Sequence, residues 1–148
     1  MRPATRILVG FDGSEKDSAA LRWAIELVER MGDSVSVEVF HALGLLDSAN
    51  RAGEGESESA HDRAVRETTQ AMRRTIDAVR PNGWLDISLT LRSGDPLLLL
   101  FAEIESTRPD LVVIGRRTAG RSDDAVLGSV SREVASRARV PVVVVPQT

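Results

Sequence analysis

The residues best suited to chemistry fall in one stretch, Gly115 to Ser131, which reads GRRTAGRSDDAVLGSVS. Glycines at 115, 120 and 128 let the backbone approach a ligand closely and adopt positive φ. The pair Gly128-Ser129 stands directly before a segment with helical patterning. The free N–H groups and positive dipole end there suit an anion such as phosphate. Arg116, Arg117 and Arg121 add positive charge, while Asp123 and Asp124 oppose it unless a metal lies between. Ordinary turn glycines with Ser129 as a simple helix cap would give the same letters, so the residues alone leave both readings open.

Other chemistries have less to draw on. The chain has no cysteine and two histidines, His41 and His61, which leaves little for a zinc site or a Ser-His-Asp triad. By spacing, His41 reads as a structural residue at a strand end and His61 as a solvated residue in a loop. No general base or activated nucleophile can be named, so the expectation is a non-enzyme with at most slow nucleotide hydrolysis. Asp12 invites comparison with the phosphoacceptor of receiver domains, but those also need an Asp after the third strand and a Lys after the fifth. Here the third strand ends Arg92-Ser93-Gly94 and the only lysine is Lys16. A net charge of −3 argues against a nucleic-acid binder that relies on bulk positive charge. No run approaches the roughly 18 apolar residues of a membrane span. Ile7–Phe11 is too short for a secretory signal core, and the expected location is the cytoplasm.

These residues need elements to position them. Ile7–Phe11 is a short apolar run readable as a buried strand, and Ser14 with Asp17 resembles the start of a capped helix. Ala20, Trp23, Ala24, Leu27 and Val28 keep helical spacing up to Gly32. Val35, Val37 and Val39 alternate as a half-buried strand. Gly44 to about Asp62 is small, polar and acidic, and reads as a mobile loop. A second helix carries Val65, Thr68 or Thr69, Met72, Ile76 and Val79 on one side and stops at Pro81-Asn82-Gly83. Leu85, Ile87, Leu89 and Leu91 form a third strand. Asp95 and Pro96 open a helix with Leu97, Leu100, Phe101 and Ile104 inward. Leu111–Ile114 is a fourth strand, Ser129–Ala138 a last helix, and Val142–Val145 a last strand between Pro141 and Pro146.

Strict alternation of strand and helix predicts one α/β domain over residues 1–148, with a parallel sheet and right-handed crossovers. The first and fourth strands are apolar on both faces and belong in the middle. The second and third alternate, as strands nearer an edge do. The prediction is a Rossmann-like, flavodoxin-like three-layer sandwich with five parallel strands in the order 3-2-1-4-5. Its ligand site then lies at the carboxyl ends of the first and fourth strands.

The chain resembles the universal stress protein family, single-domain bacterial type. The carrying residues are Asp12-Gly13-Ser14, His41-Ala42, Gly94-Asp95-Pro96, Gly128-Ser129-Val130-Ser131 and Pro141 to Val145, in that order. The ATP-binding branch has a loop of Gly, two residues, Gly, nine residues and Gly-Ser/Thr. Gly115 matches the first glycine, and the nine residues Ala119–Leu127 lead to Gly128-Ser129. The second glycine is replaced by Thr118, whose β-branch resists positive φ and whose hydroxyl can donate to a phosphate. The resemblance implies ATP or a related adenine nucleotide as cofactor, with Mg²⁺ if ATP is bound. Gly10 and Asp12 would line the adenine and ribose side, and Ala42 would touch the adenine. Gly115, Arg117 and Thr118 would lie near ribose and phosphates, and Gly128, Ser129 and Val130 would hold phosphate. It further implies a stress-response regulator or sensor that dimerises through Val142, Val143, Val144 and Val145. That last strand is an apolar sheet edge that proteins normally cover. The alternative is a family member that binds no nucleotide and works as a dimeric protein-interaction module.

Overall fold

A computed structural model describes residues 5–11, 19–31, 35–44, 59–79, 86–115 and 129–146. Along these the chain alternates β1 (Thr5–Gly10), α1 (Ala19–Met31), β2 (Val35–Leu43), α2 (Ala60–Val79), β3 (Asp86–Ser93), α3 (Pro96–Thr107), β4 (Leu111–Gly115), α4 (Ser129–Arg137) and β5 (Val142–Val145). The strands form one parallel sheet in the order β3-β2-β1-β4-β5, as the apolar patterns predict. Ile7, Leu8 and Val9 of β1 and Val112 and Val113 of β4 are fully buried, which is why these two strands take the centre.

The pleat sends alternate residues to opposite faces. Ile7, Val9, Val37, Val39 and Val113 pack under α1 and α2, while Leu8, Phe40, Val112 and Ile114 pack under α3 and α4. This three-layer arrangement leaves the carboxyl ends of β1 and β4 side by side, with Gly10 paired to Ile114.

Helix boundaries follow local chemistry. Asp95 caps α3 by accepting from the Leu98 N–H at 2.9 Å, and Pro96 follows at the first helical position. The helix ends at Arg108, whose N–H donates to the Ile104 carbonyl at 3.0 Å and whose left-handed backbone (φ 47°) turns the chain out of the helix. Gly94, between β3 and α3, has φ 144° and donates to the Leu43 carbonyl at 3.0 Å, a turn that favours glycine.

Several boundaries and faces differ from the sequence reading. Residues 60–62, read as the end of a mobile loop, belong to α2: the hydroxyl of Ser59, just before it, accepts from the Asp62 N–H at 3.1 Å and starts the helix. His61 is therefore a helical residue, with Nε2 3.4 Å from the Ser93 hydroxyl. The buried face of α2 is Ala64, Thr68, Met72, Thr75 and Ile76, with Val65 at its margin. In α1, Leu21 and Ile25 are buried and Trp23 and Leu27 lie at the edge of the core. β2 runs on through Leu43, so His41 and Ala42 sit inside the strand rather than after it, because β3 pairs with it that far (His41 with Leu91, Leu43 with Ser93). In α3 the inward face includes Glu103, which is 5% exposed. The expected helix start at Ser14 and Asp17, the stops at Gly32 and Pro81-Asn82-Gly83, the strand start at Leu85, and most of the 44–62 loop lie outside the described residues.

Candidate functional site

At the carboxyl end of the sheet, β1 and β4 diverge to helices on opposite faces and leave a cleft of about 180 Å³. Its floor is the strand ends: Gly10 from β1, Phe40 and Ala42 from β2, Ile114 and Gly115 from β4. Its walls come from helices, with Ala20 of α1, Pro96 and Leu100 of α3, and Val130 and Ser131 of α4. Most of this surface is apolar. Polar character comes from the His41 ring, the Ser131 hydroxyl and backbone groups of the strand ends.

Glycine at position 10 keeps the floor open. A Cβ there would lie 3.1 Å from Ile114 Cγ2, tight enough that the isoleucine would have to move. Neither Gly10 nor Ala42 brings a bulky side chain to the floor beside Phe40.

Three hydrogen bonds fix the rim. His41 is 8% exposed, and its Nδ1 donates to the Phe11 carbonyl at 2.7 Å. A carbonyl only accepts, so this contact sets the proton on Nδ1. The Phe11 N–H in turn donates to the Phe40 carbonyl at 2.7 Å, and the rings of Phe11 and His41 meet edge to face at 6.1 Å. The chain leaving β1 toward Asp12 is thus clasped to β2. On the other side the Ser131 hydroxyl donates to the Gly115 carbonyl at 3.0 Å, which pins the first turn of α4 to the end of β4.

Four of the sequence-named site residues, Gly10, Ala42, Gly115 and Val130, come from four elements and meet in this cleft. Ser129 opens α4 beside Val130. Asp12, Arg117, Thr118 and Gly128 lie outside the described residues. Pro96 and Leu100 were missed as lining residues. The Gly94-Asp95-Pro96 turn was their signal, since a capped helix starting after β3 must place its first turn over the strand ends. Among the described residues there is no group of three or more His, Asp or Glu that could hold a metal ion, and no helix is long and apolar enough to cross a membrane.

The universal stress protein family model matches residues 3–146, nearly the whole chain. The chain belongs to the universal stress protein family. Its fold is that of solved family members. One is UspA from Lactobacillus plantarum (19% identity, TM-score 0.73, 98% of this chain and 99% of that one). Another is the universal stress protein from Archaeoglobus fulgidus in complex with dAMP (21% identity, TM-score 0.65, 98% and 99%). A third is an Arabidopsis thaliana family protein with AMP bound (18% identity, TM-score 0.65, 97% and 92%). The stress response protein NhaX of Bacillus subtilis is 25% identical over 166 aligned positions, taking in 96% of this chain and 98% of its own. In this universal stress protein, the cleft at the β1–β4 junction lies at the switch point where sheets of this kind bind ligands.

Proposed function

We propose that this universal stress protein binds an adenine nucleotide in the cleft between β1 and β4 and acts as a stress-response regulator or sensor. The observation that carries the reading is the convergence of Gly10, Ala42, Gly115 and Val130 on one cleft from four separate elements. A mostly apolar cleft with a few polar groups at its rim suits a purine ring. Relatives of the same fold solved with AMP and dAMP support this choice of ligand. The phosphates would meet the N-terminus of α4, where Ser129 and Val130 carry N–H groups with no partner inside the helix. ATP with Mg²⁺ is the finer form of the proposal, and Asp12, Arg117, Thr118 and Gly128 are the residues it would add. The role proposed is binding rather than turnover, exercised in the cytoplasm.

We further infer a homodimer through β5. In the strand order it is the sheet edge, and Val142, Val143 and Val144 are each only partly buried. A two-fold mate would cover that edge.

Heating the purified protein and identifying what it releases tests the nucleotide reading, followed by calorimetric titration of stripped protein with AMP and with ATP and Mg²⁺. An adenine nucleotide in the supernatant or saturable binding is expected. No released nucleotide and no binding to either ligand would favour the interaction-module alternative.

A further inference from the structure

Away from the rim of the cleft, the contact between β2 and α3 contains a pair of carboxyl groups. Glu38 of β2 lies on the α3 face of the sheet, two residues before Phe40, and Glu103 lies on α3 one turn after Leu100. Both neighbours line the cleft. Glu103 is buried, and its Oε2 lies 3.2 Å from Nε of Arg92, whose side chain is half-exposed. The Glu38 carboxyl stands among Thr90, Arg92 and Glu103. Its Oε1 is buried with no hydrogen-bond partner among the described residues.

A buried carboxylate oxygen with no hydrogen-bond partner, next to a second buried carboxylate, disfavours the ionised form, and a proton on one of the two relieves it. Arg92 neutralises Glu103, which leaves Glu38 as the member that carries the proton. The other charged groups nearby are Arg6 of β1 and Asp86 of β3, which stand along the same polar groove as Glu38. Arg6 is engaged with the Thr107 carbonyl at 3.2 Å. With one arginine paired to the two glutamates, loss of the proton leaves a net negative charge in the β2–α3 contact.

We propose that Glu38 and Glu103 hold a single exchangeable proton between β2 and α3, and that its loss loosens α3 and makes the cleft floor at Phe40 and Leu100 sensitive to pH. The proposal does not depend on what occupies the cleft. Burial raises the Glu38 carboxyl from the usual 4.5 to about 7, with the neighbouring Glu103 carboxyl adding in the same direction. Thr90 and Arg92 pull the other way without cancelling it. The folded chain therefore holds this proton more tightly than the unfolded chain does. Stability from the pair is complete below the ordinary carboxyl range and is lost as pH rises through about 7.

The test is a pH titration of the whole chain from about 5 to 8.5, following side-chain carboxyl carbons by NMR and hydrogen exchange of the α3 amides. One glutamate carboxyl should titrate near neutrality. Protection of α3, corrected for intrinsic exchange, should fall by roughly tenfold across the range. In Glu38→Gln, an isostere of the protonated acid, both changes should disappear. Should that variant not fold, Glu103→Gln serves, since removing the second carboxyl must also shift the near-neutral titration to lower pH. Glutamate carboxyls that all titrate below about pH 6 in the wild type would overturn the proposal. So would a near-neutral titration that persists in either variant, or α3 protection that does not change with pH.

Discussion

Under α1 and α2 the strands present Ile7, Val9, Val37, Val39 and Val113, an apolar surface closed by Leu21, Ile25, Met72 and Ile76. Under α3 and α4 the alternate positions of the same strands read Leu8, Gly10, Glu38, Phe40, Ala42, Val112 and Ile114, where small and acidic residues interrupt the apolar ones. The first face is packed throughout. The second gives up packing at Gly10 and Ala42 to open a cleft, and holds a carboxyl pair at Glu38 and Glu103. The two-residue period of the strands thus gives one sheet a closed face and a face that opens into the cleft, whose lining Ala20, His41 and Gly115 complete from the closed side.

The largest effect should come from the closed face. Met72 is fully buried in α2, and Met72→Ala should lower the free energy of unfolding by about 2–5 kcal/mol, read by urea denaturation. Adenine-nucleotide affinity of the folded protein should stay unchanged. A matching loss of affinity would break the separation between the faces.

Gly10→Val does the reverse. Its new Cβ would stand 3.1 Å from Ile114 Cγ2, and the methyl groups beyond it fill the floor. The crowding should cost about 1–3 kcal/mol of stability. Calorimetry should show affinity reduced tenfold or more, equivalent to about 1.4 kcal/mol. Retained affinity in a folded variant would remove Gly10 from the site.

Ser131→Ala is the smallest change. It deletes the hydrogen bond to the Gly115 carbonyl and should cost about 0.5–1.5 kcal/mol in thermal or urea unfolding. If that bond positions the start of α4 for phosphate, ATP affinity should fall more than adenosine affinity. Equal losses would make the bond structural only.

The same separation explains how much the sequence revealed. Strand order followed from which strands are apolar on both faces, because burial on two sides leaves no polar alternation to read. The cleft followed from that order together with the glycines at 10 and 115. The inward side of α3 was legible as well: Leu100 and Ile104 are buried and Leu97 and Phe101 pack against them. What the unbroken run Leu97 to Leu100 did not show is that Leu98 ends up 71% exposed while Glu103 is buried. A carboxylate placed inward is stabilised by partners on other elements, here Arg92 and Glu38, and spacing along one helix does not reveal them. The strand position of His41 was hidden for a similar reason, since the length of β2 is set by pairing with β3.

The central claim is that an adenine nucleotide occupies the β1–β4 cleft, and amide chemical-shift mapping with AMP tests it most directly. The account predicts saturable shifts concentrated at Gly10, Ala42, Gly115 and Val130, with Met72 and its neighbours on α2 unmoved. No shifts at millimolar AMP, or shifts confined to residues outside the cleft, would contradict it.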